Sequence, residues 1–250
     1  MKKLYIFLLS IVFWSCADTP QQLKKVEGKQ VQMSDSIKKN QELEAFISPY
    51  RNRIQAEMEG VLAFTPKAMN KSDFKLNTPI GNMMADAVLE MASPIYEERT
   101  GNKIDIVILN YGGIRSGINA GDVTTRTAYN IMPFENEVAV AELTSGELKA
   151  LIDYLIKNKV AHPIAGLQVI LDSEGNLSEA KVNGQEIQKK SYYVATSDYL
   201  IKGGDNMDFF LRAKDVKSLN YKLRNLFIDY FKKKDTIAPE RDQRFIQLQN

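Results

Sequence analysis

The chain has 250 residues, 44% hydrophobic and 26% charged, proportions that suit one sizeable globular domain with a real core. Its 33 basic and 31 acidic residues leave a formal net charge of +2 and are interspersed along the chain, so nothing resembles the basic stripe with interleaved aromatics of a nucleic-acid binder. Nucleic acid is not an expected partner. The first element is MKKLYIFLLSIVFWSC, two lysines followed by a mostly apolar run, the charge and length of a secretory signal and too short to span a bilayer in the mature protein.

That run ends at Cys16, the one cysteine of the chain, with polar ADTPQQ behind it. The pattern resembles a bacterial lipoprotein signal, which implies lipidation of the Cys16 sulfur and an exported, membrane-anchored protein at the periplasmic or outer surface. A lone cysteine leaves no intrachain disulfide. Residues 17–35 are polar and without sustained periodicity and read as a tether. The domain proper is expected over 36–250.

Within it, the segment from Ile37 to Ala63 reads as helical and broken near Pro49. A second helix is expected over 80–93, where Ile80, Met83, Met84, Ala87, Val88 and Met91 keep helical spacing; the methionines read as core filler rather than ligands. IDIVILN (104–110) is a short apolar run ending in a glycine turn, as in a buried strand. EVAVAEL (137–143) alternates as a strand does, and Thr144 to Glu147 form a capping-box sequence opening a helix over 147–157. GLQVIL (166–171) and SEAKVN form a hairpin-like pair, SYYVATS (191–197) is a further strand, and a lysine-rich helix is expected over 216–233. The fold class is α+β, one domain of mixed sheets and helices.

The residue inventory restricts the chemistry. His162 is the only histidine, so a two-metal hydrolytic site, which draws several histidines from adjoining loops, cannot be assembled from this sequence. With Cys16 in the signal, thiolate catalysis and zinc–thiolate sites are also excluded, and no GxSxG elbow accompanies a triad. His162 reads as a packing or loop residue, and no cofactor is expected on this chain.

What remains is a set of loops. NYGGIR (110–115) follows a strand; its glycines permit close approaches, and Arg115 is a planar donor suited to phosphate or carboxylate. Phe134 in PFEN could be core, and Tyr199 a rim aromatic. GGD (203–205) places Asp205 on a glycine turn, where a carboxylate can accept from vicinal hydroxyls. Two aromatics, an aspartate, an asparagine and an arginine together match a planar base, a diol and a phosphate.

The segments NYGGIRSGINAGDVT, YNIMPFENEVAVAELTSGELKALI, HPIAGLQV and TSDYLIKGGDNM, in that order, resemble the C-terminal domain of the 5'-nucleotidase/UDP-sugar hydrolase family, with TPIGNMMADAV and PERDQRFIQ similar to its opening and closing segments. The resemblance spans roughly residues 40–250. It implies that Phe134 and Tyr199 sandwich a base, Asp205 binds the ribose hydroxyls, Asn110 and Asn136 lie near the nucleoside, and Arg115 reaches the phosphate, with Gly113, Gly203 and Gly204 shaping the turns. The family often has phenylalanine at the second aromatic position. An earlier phosphate-side arginine has no clear equivalent, and Lys75 is a candidate stand-in. The resemblance also implies that hydrolysis belongs to a metallophosphoesterase domain, which residues before the matched region, without histidine, do not supply. The expectation is therefore the nucleotide-recognition half of a split, exported hydrolase, whose divalent metals sit on a separate metallophosphoesterase partner. A stand-alone nucleotide- or nucleoside-binding lipoprotein and a relic pocket reused as a protein interface are the alternatives.

Overall fold

Short, nearly continuous apolar runs dictate the central element, a five-stranded sheet whose inner strands are buried on both faces. The computed structural model describes residues 23, 25–34 and 37–249. Its elements are α1 (Gln41–Met58), β1 (Val61–Thr65), α2 (Pro79–Thr100), β2 (Ile106–Ile108), β3 (Gly121–Thr124), α3 (Thr125–Ile131), β4 (Glu137–Leu143), α4 (Ser145–Asn158), β5 (Ile164–Ala165), β6 (Leu167–Leu171), β7 (Leu177–Val182), β8 (Gln185–Glu186), β9 (Tyr192–Ser197), α5 (Asp198–Ile201), β10 (Asp215–Lys222), α6 (Leu223–Lys233) and β11 (Phe245–Gln247). The main sheet runs β10-β4-β9-β2-β5; a second sheet runs β11-β6-β7-β8, and β1 pairs with β3.

Odd and even positions of the central strands feed two cores. Val107, Val138, Val140 and Ala195 join Ile80, Met83, Met84 and Val88 of α2 and Phe227 and Phe231 of α6 on one face. Ile106, Ile108, Ala141, Leu143 and Val194 join Leu148, Leu151 and Leu155 of α4, with Phe209 and Phe210, on the other. The expected α+β class is what the chain adopts. The methionines of α2 are core filler, Met83 and Met84 being buried among apolar neighbours. This helix is longer than its periodicity suggests: Thr78 caps it by accepting from the Gly81 N–H at 3.2 Å, and Gly101 ends it in the left-handed region at φ 72°.

Three expectations are corrected. Pro49 lies inside α1 without ending it, because a single missing backbone donor is outweighed by flanking helix formers and by pairs such as Arg53–Glu57 at 3.1 Å. The expected helix over 216–233 begins only at Leu223; Asp215–Lys222 is a strand, paired antiparallel with β4 from Asp215↔Glu142 to Ser218↔Ala139. Pairing against a ready edge overrides the local helical reading there. The capping box at Thr144 is half made: Thr144 accepts from the Glu147 N–H, while the Glu147 carboxylate lies 3.7 Å from Arg212. A reciprocal box forms instead at Thr124 and Thr127.

The chain divides into two units at Ile47/Ser48, and every sheet of the described residues lies in the unit Ser48–Asn250. In the first unit, residues 25–34 are exposed and without regular structure. Cys16 and the signal lie outside the described residues. Among the described residues, no helix is long and apolar enough to cross a membrane.

Candidate functional site

Register brings four chain segments to one end of the main sheet. β2 and β9 are parallel, so the loops leaving Ile108 and Ser197 emerge together. β4 is antiparallel to β9, with Val138 opposite Ser197, so the loop entering β4 arrives at that end. β10 is antiparallel to β4, with Lys222 opposite Glu137, and hands Leu223 to the same place. Between these segments lies a cleft of about 650 Å³ lined by Asn110, Gly113, Arg115, Phe134, Asn136, Tyr199 and Asp205, together with Leu109, Gly112, Met132, Glu135, Ser197, Asp198 and Leu223. Residues read from four separate segments thus share one cleft. Gly203 and Gly204 lie just outside its lining.

Each wall is built by a local device. Asn110 precedes a single 3₁₀ turn, Tyr111–Gly113, and its side chain folds over that turn so closely that a Cβ on Gly113 would sit 2.7 Å from Asn110 Oδ1. Its Nδ2 donates to Asp205 Oδ2 at 2.7 Å. Asp205 itself adopts φ 53°, ψ 28°, the left-handed region that aspartate tolerates better than most residues. Its carbonyl accepts from Tyr154 Oη at 2.9 Å, and its Oδ1 accepts from Tyr199 Oη at 2.9 Å. The Tyr199 ring lies against Gly204, where a Cβ would approach it to 2.5 Å, so this glycine supports the aromatic rather than the ligand space. Hydrogen bonding to Asp205, reinforced by that residue's negative charge, holds the Tyr199 phenol above its ordinary range. Burial, with the same charge, does so for Tyr154.

Phe134 and Tyr199 are 41% and 44% exposed, so neither is core. The Arg115 guanidinium lies 5.7 Å from the Phe134 ring centroid and donates to the Gly112 carbonyl at 3.3 Å. The loop carrying Phe134 is held by the buried Arg224, which donates to the Pro133 carbonyl at 3.3 Å, stacks 4.2 Å from the Tyr129 centroid and pairs with Glu135. Hydrogen bonds from Lys222 and Arg224 hold the Glu135 carboxyl down to about 2. Asn136 donates from Nδ2 to Asp198 Oδ1 at 3.0 Å.

Several of these residues escaped the sequence reading. Tyr154 acts across 51 positions and has no local signature. Asp198 was legible only as a carboxylate beside Tyr199 at a strand end. Lys75 is not in this cleft; it lines another, with Lys71, Tyr111 and Lys159.

Residues 59–212 match the family described as 5'-nucleotidase, C-terminal domain. The chain belongs to that family. This 5'-nucleotidase C-terminal domain is 27% identical over 235 residues to the trifunctional nucleotide phosphoesterase protein YfkN of Bacillus subtilis, covering 86% of the chain but 16% of that protein. It is 28% identical over 189 residues to Protein UshA of Escherichia coli, covering 72% of the chain and 32% of UshA. The chain therefore spans a third or less of these two relatives. Its fold resembles that of a 5'-nucleotidase precursor from Thermus thermophilus, with a TM-score of 0.68 at 20% identity over 83% of this chain and 43% of that one.

Among the described residues, no three or more His, Cys, Asp or Glu side chains are grouped to hold a metal ion. His162 is 6% exposed, and its Nδ1 accepts from the Tyr111 N–H at 3.1 Å, so its ring supports the turn that carries Asn110. Burial lowers its pKa to about 4, although a backbone hydrogen bond with Leu109 and the charge of Asp205 pull the other way.

Proposed function

We propose that this domain binds a nucleotide in the cleft and orients its phosphate ester for a metallophosphoesterase centre on a separate chain. The observation that carries this reading is two half-exposed aromatic rings, Phe134 and Tyr199, on one cleft with Arg115 and the tied Asp205 carboxylate. A base between the rings gains stacking on two faces, worth about 1–3 kcal/mol per base by truncation. Asp205 keeps accepting capacity beyond its bonds to Asn110 and Tyr199, because an ionised carboxylate offers about four lone-pair sites. It is therefore the acceptor for a ribose diol. Arg115 leaves its contact with the Gly112 carbonyl, a neutral partner, for a phosphate, a charged and bidentate one. The chain's role is then positioning: it fixes the ester in one orientation while the water-activating chemistry takes place on the partner.

The names of YfkN, a nucleotide phosphoesterase, and of the Thermus protein, a 5'-nucleotidase precursor, support a nucleotide as ligand, and the word precursor in the latter supports export. Anchoring through Cys16 rests on the N-terminal pattern.

Titration calorimetry of the detergent-solubilised full chain with the common nucleoside 5'-monophosphates and their nucleosides tests the binding. At least one monophosphate should bind, and bind tighter than its nucleoside. No binding by any of them refutes the reading. Co-purification from native membranes with a metallophosphoesterase chain, and phosphate release only when both chains and a divalent metal are present, tests the division of labour; metal-stimulated hydrolysis by this chain alone would overturn it.

A further inference from the structure

The cleft has two carboxylates that the ribose and phosphate do not require: Glu135 is paired with Lys222 and Arg224, and Asp198 has no cationic partner among the described residues. Asp198 opens α5, capped by Ser197, whose Oγ accepts from the Leu200 N–H at 3.3 Å. Its Oδ1 is filled by two donors, Asn136 Nδ2 at 3.0 Å and the Glu137 N–H at 3.1 Å. Asn136 is fixed at its backbone as well, its carbonyl accepting from the Leu223 N–H at 2.9 Å. A carboxylate only accepts, so Asn136 must turn its amide nitrogen to Asp198, and this sets the placement of its amide oxygen. Among the described residues, neither Asn136 Oδ1 nor Asp198 Oδ2 takes a hydrogen bond, and both residues line the cleft beside Phe134 and Tyr199. Two acceptors on adjacent, rigidly held side chains therefore stand next to the two aromatic rings.

We propose that Asn136 and Asp198 read the edge of the stacked base and select guanine; the inference rests on the nucleotide reading above. Guanine presents two neighbouring donors, N1–H and the 2-amino group, on its Watson–Crick edge. Adenine and cytosine set a ring-nitrogen acceptor beside their amine, which would face the acceptor pair unfavourably. Uracil offers one N–H between two carbonyls. Hypoxanthine is the informative comparison, because it keeps guanine's N1–H, its 6-oxo group and its stacking surface and lacks only the 2-amino donor. A hydrogen bond to a charged acceptor is the stronger kind, and its loss leaves that acceptor without a partner.

The test is calorimetric titration of the full chain in detergent with guanosine and with inosine. Guanosine should bind about tenfold tighter or more. Asp198→Asn keeps an oxygen for Asn136 and Glu137 and replaces the other acceptor with a donor, so the guanosine-to-inosine ratio should fall to about one while a thermal melt stays cooperative. Equal affinity of wild type for the two nucleosides, both binding measurably, overturns the base selection and leaves the nucleotide reading standing. A ratio retained in Asp198→Asn overturns the assignment to Asp198. Binding of neither nucleoside, nor of either monophosphate, refutes the base selection, and it refutes the nucleotide reading as well when no other common nucleoside 5'-monophosphate binds. The comparison of the two ligands on wild type decides the selection even if the variant fails to fold.

Discussion

Protonating His162 should release the turn that carries Asn110, and the pH dependence of stability should show it. In the native chain His162 is buried against the Tyr154 ring, 5.4 Å between centroids, with Nδ1 accepting from the Tyr111 N–H. A proton on Nδ1 would remove that acceptor; the burial of the ring, which shields its charge from water, lowers its pKa from 6.5 to about 4. The sign follows from linkage: between these two values the unfolded chain binds more protons than the native one, so stability declines as pH falls from about 6.5 towards 4 and is independent of this group above about 7. With 1.36 kcal/mol per unit over the shift, the loss is about 3 kcal/mol at full protonation. Carboxylates titrate in part of the same window, so the comparison is with His162→Gln, which does not titrate. Urea unfolding at pH 7, 6, 5 and 4 should show wild-type stability falling more steeply than that of the variant, the two curves converging as pH drops. Parallel curves from pH 7 to 4 would refute the account of His162 as a neutral prop.

Two further predictions concern the cleft walls. Phe134→Ala should weaken binding of guanosine monophosphate by about 1–3 kcal/mol, roughly 5- to 150-fold, with little change in melting temperature because the ring is 41% exposed; a large drop in melting temperature with unchanged binding would make Phe134 a structural residue instead. Tyr199→Phe keeps the ring and removes the donor to Asp205 Oδ1, so it should weaken guanosine more than its 2',3'-dideoxy analogue, by about threefold or more; equal losses for the two ligands would detach the hydroxyl from ribose recognition.

The parts of this molecule that were legible in the sequence are those written in short-range pattern. The alternating run EVAVAEL located β4, and SYYVATS located β9, almost to the residue; both strands bury side chains on opposite faces of one sheet. Helical spacing located α2 because its methionines had one apolar face to fill. The loop residues Asn110, Phe134, Tyr199 and Asp205 were picked out by turn chemistry and resemblance, and they line one cleft. Illegible were the features that depend on partners far along the chain. Asp215–Lys222 has too mixed a pattern to declare itself a strand and becomes one by pairing with β4, about 75 residues earlier.

The same limit explains the inner structure of the cleft. Asp205 sits in a left-handed backbone conformation that it does not favour, and what holds it comes from three other places: Asn110 from the loop after β2, Tyr154 from α4 and Tyr199 from α5. The last is the informative one. A phenylalanine at that position would stack equally well, so the sequence reading treated tyrosine as an equivalent face. The phenol instead ties the ring proposed to stack on the base to the carboxylate proposed to take the sugar, with the phenol's pKa raised by that contact. A base entering against Tyr199 therefore bears on a ring whose position is coupled to Asp205, and a ribose engaging Asp205 bears on an oxygen already shared with Tyr199. In the binding mode proposed above, base and sugar recognition are joined through the Tyr199–Asp205 hydrogen bond, so the effects of truncating the two residues should not add.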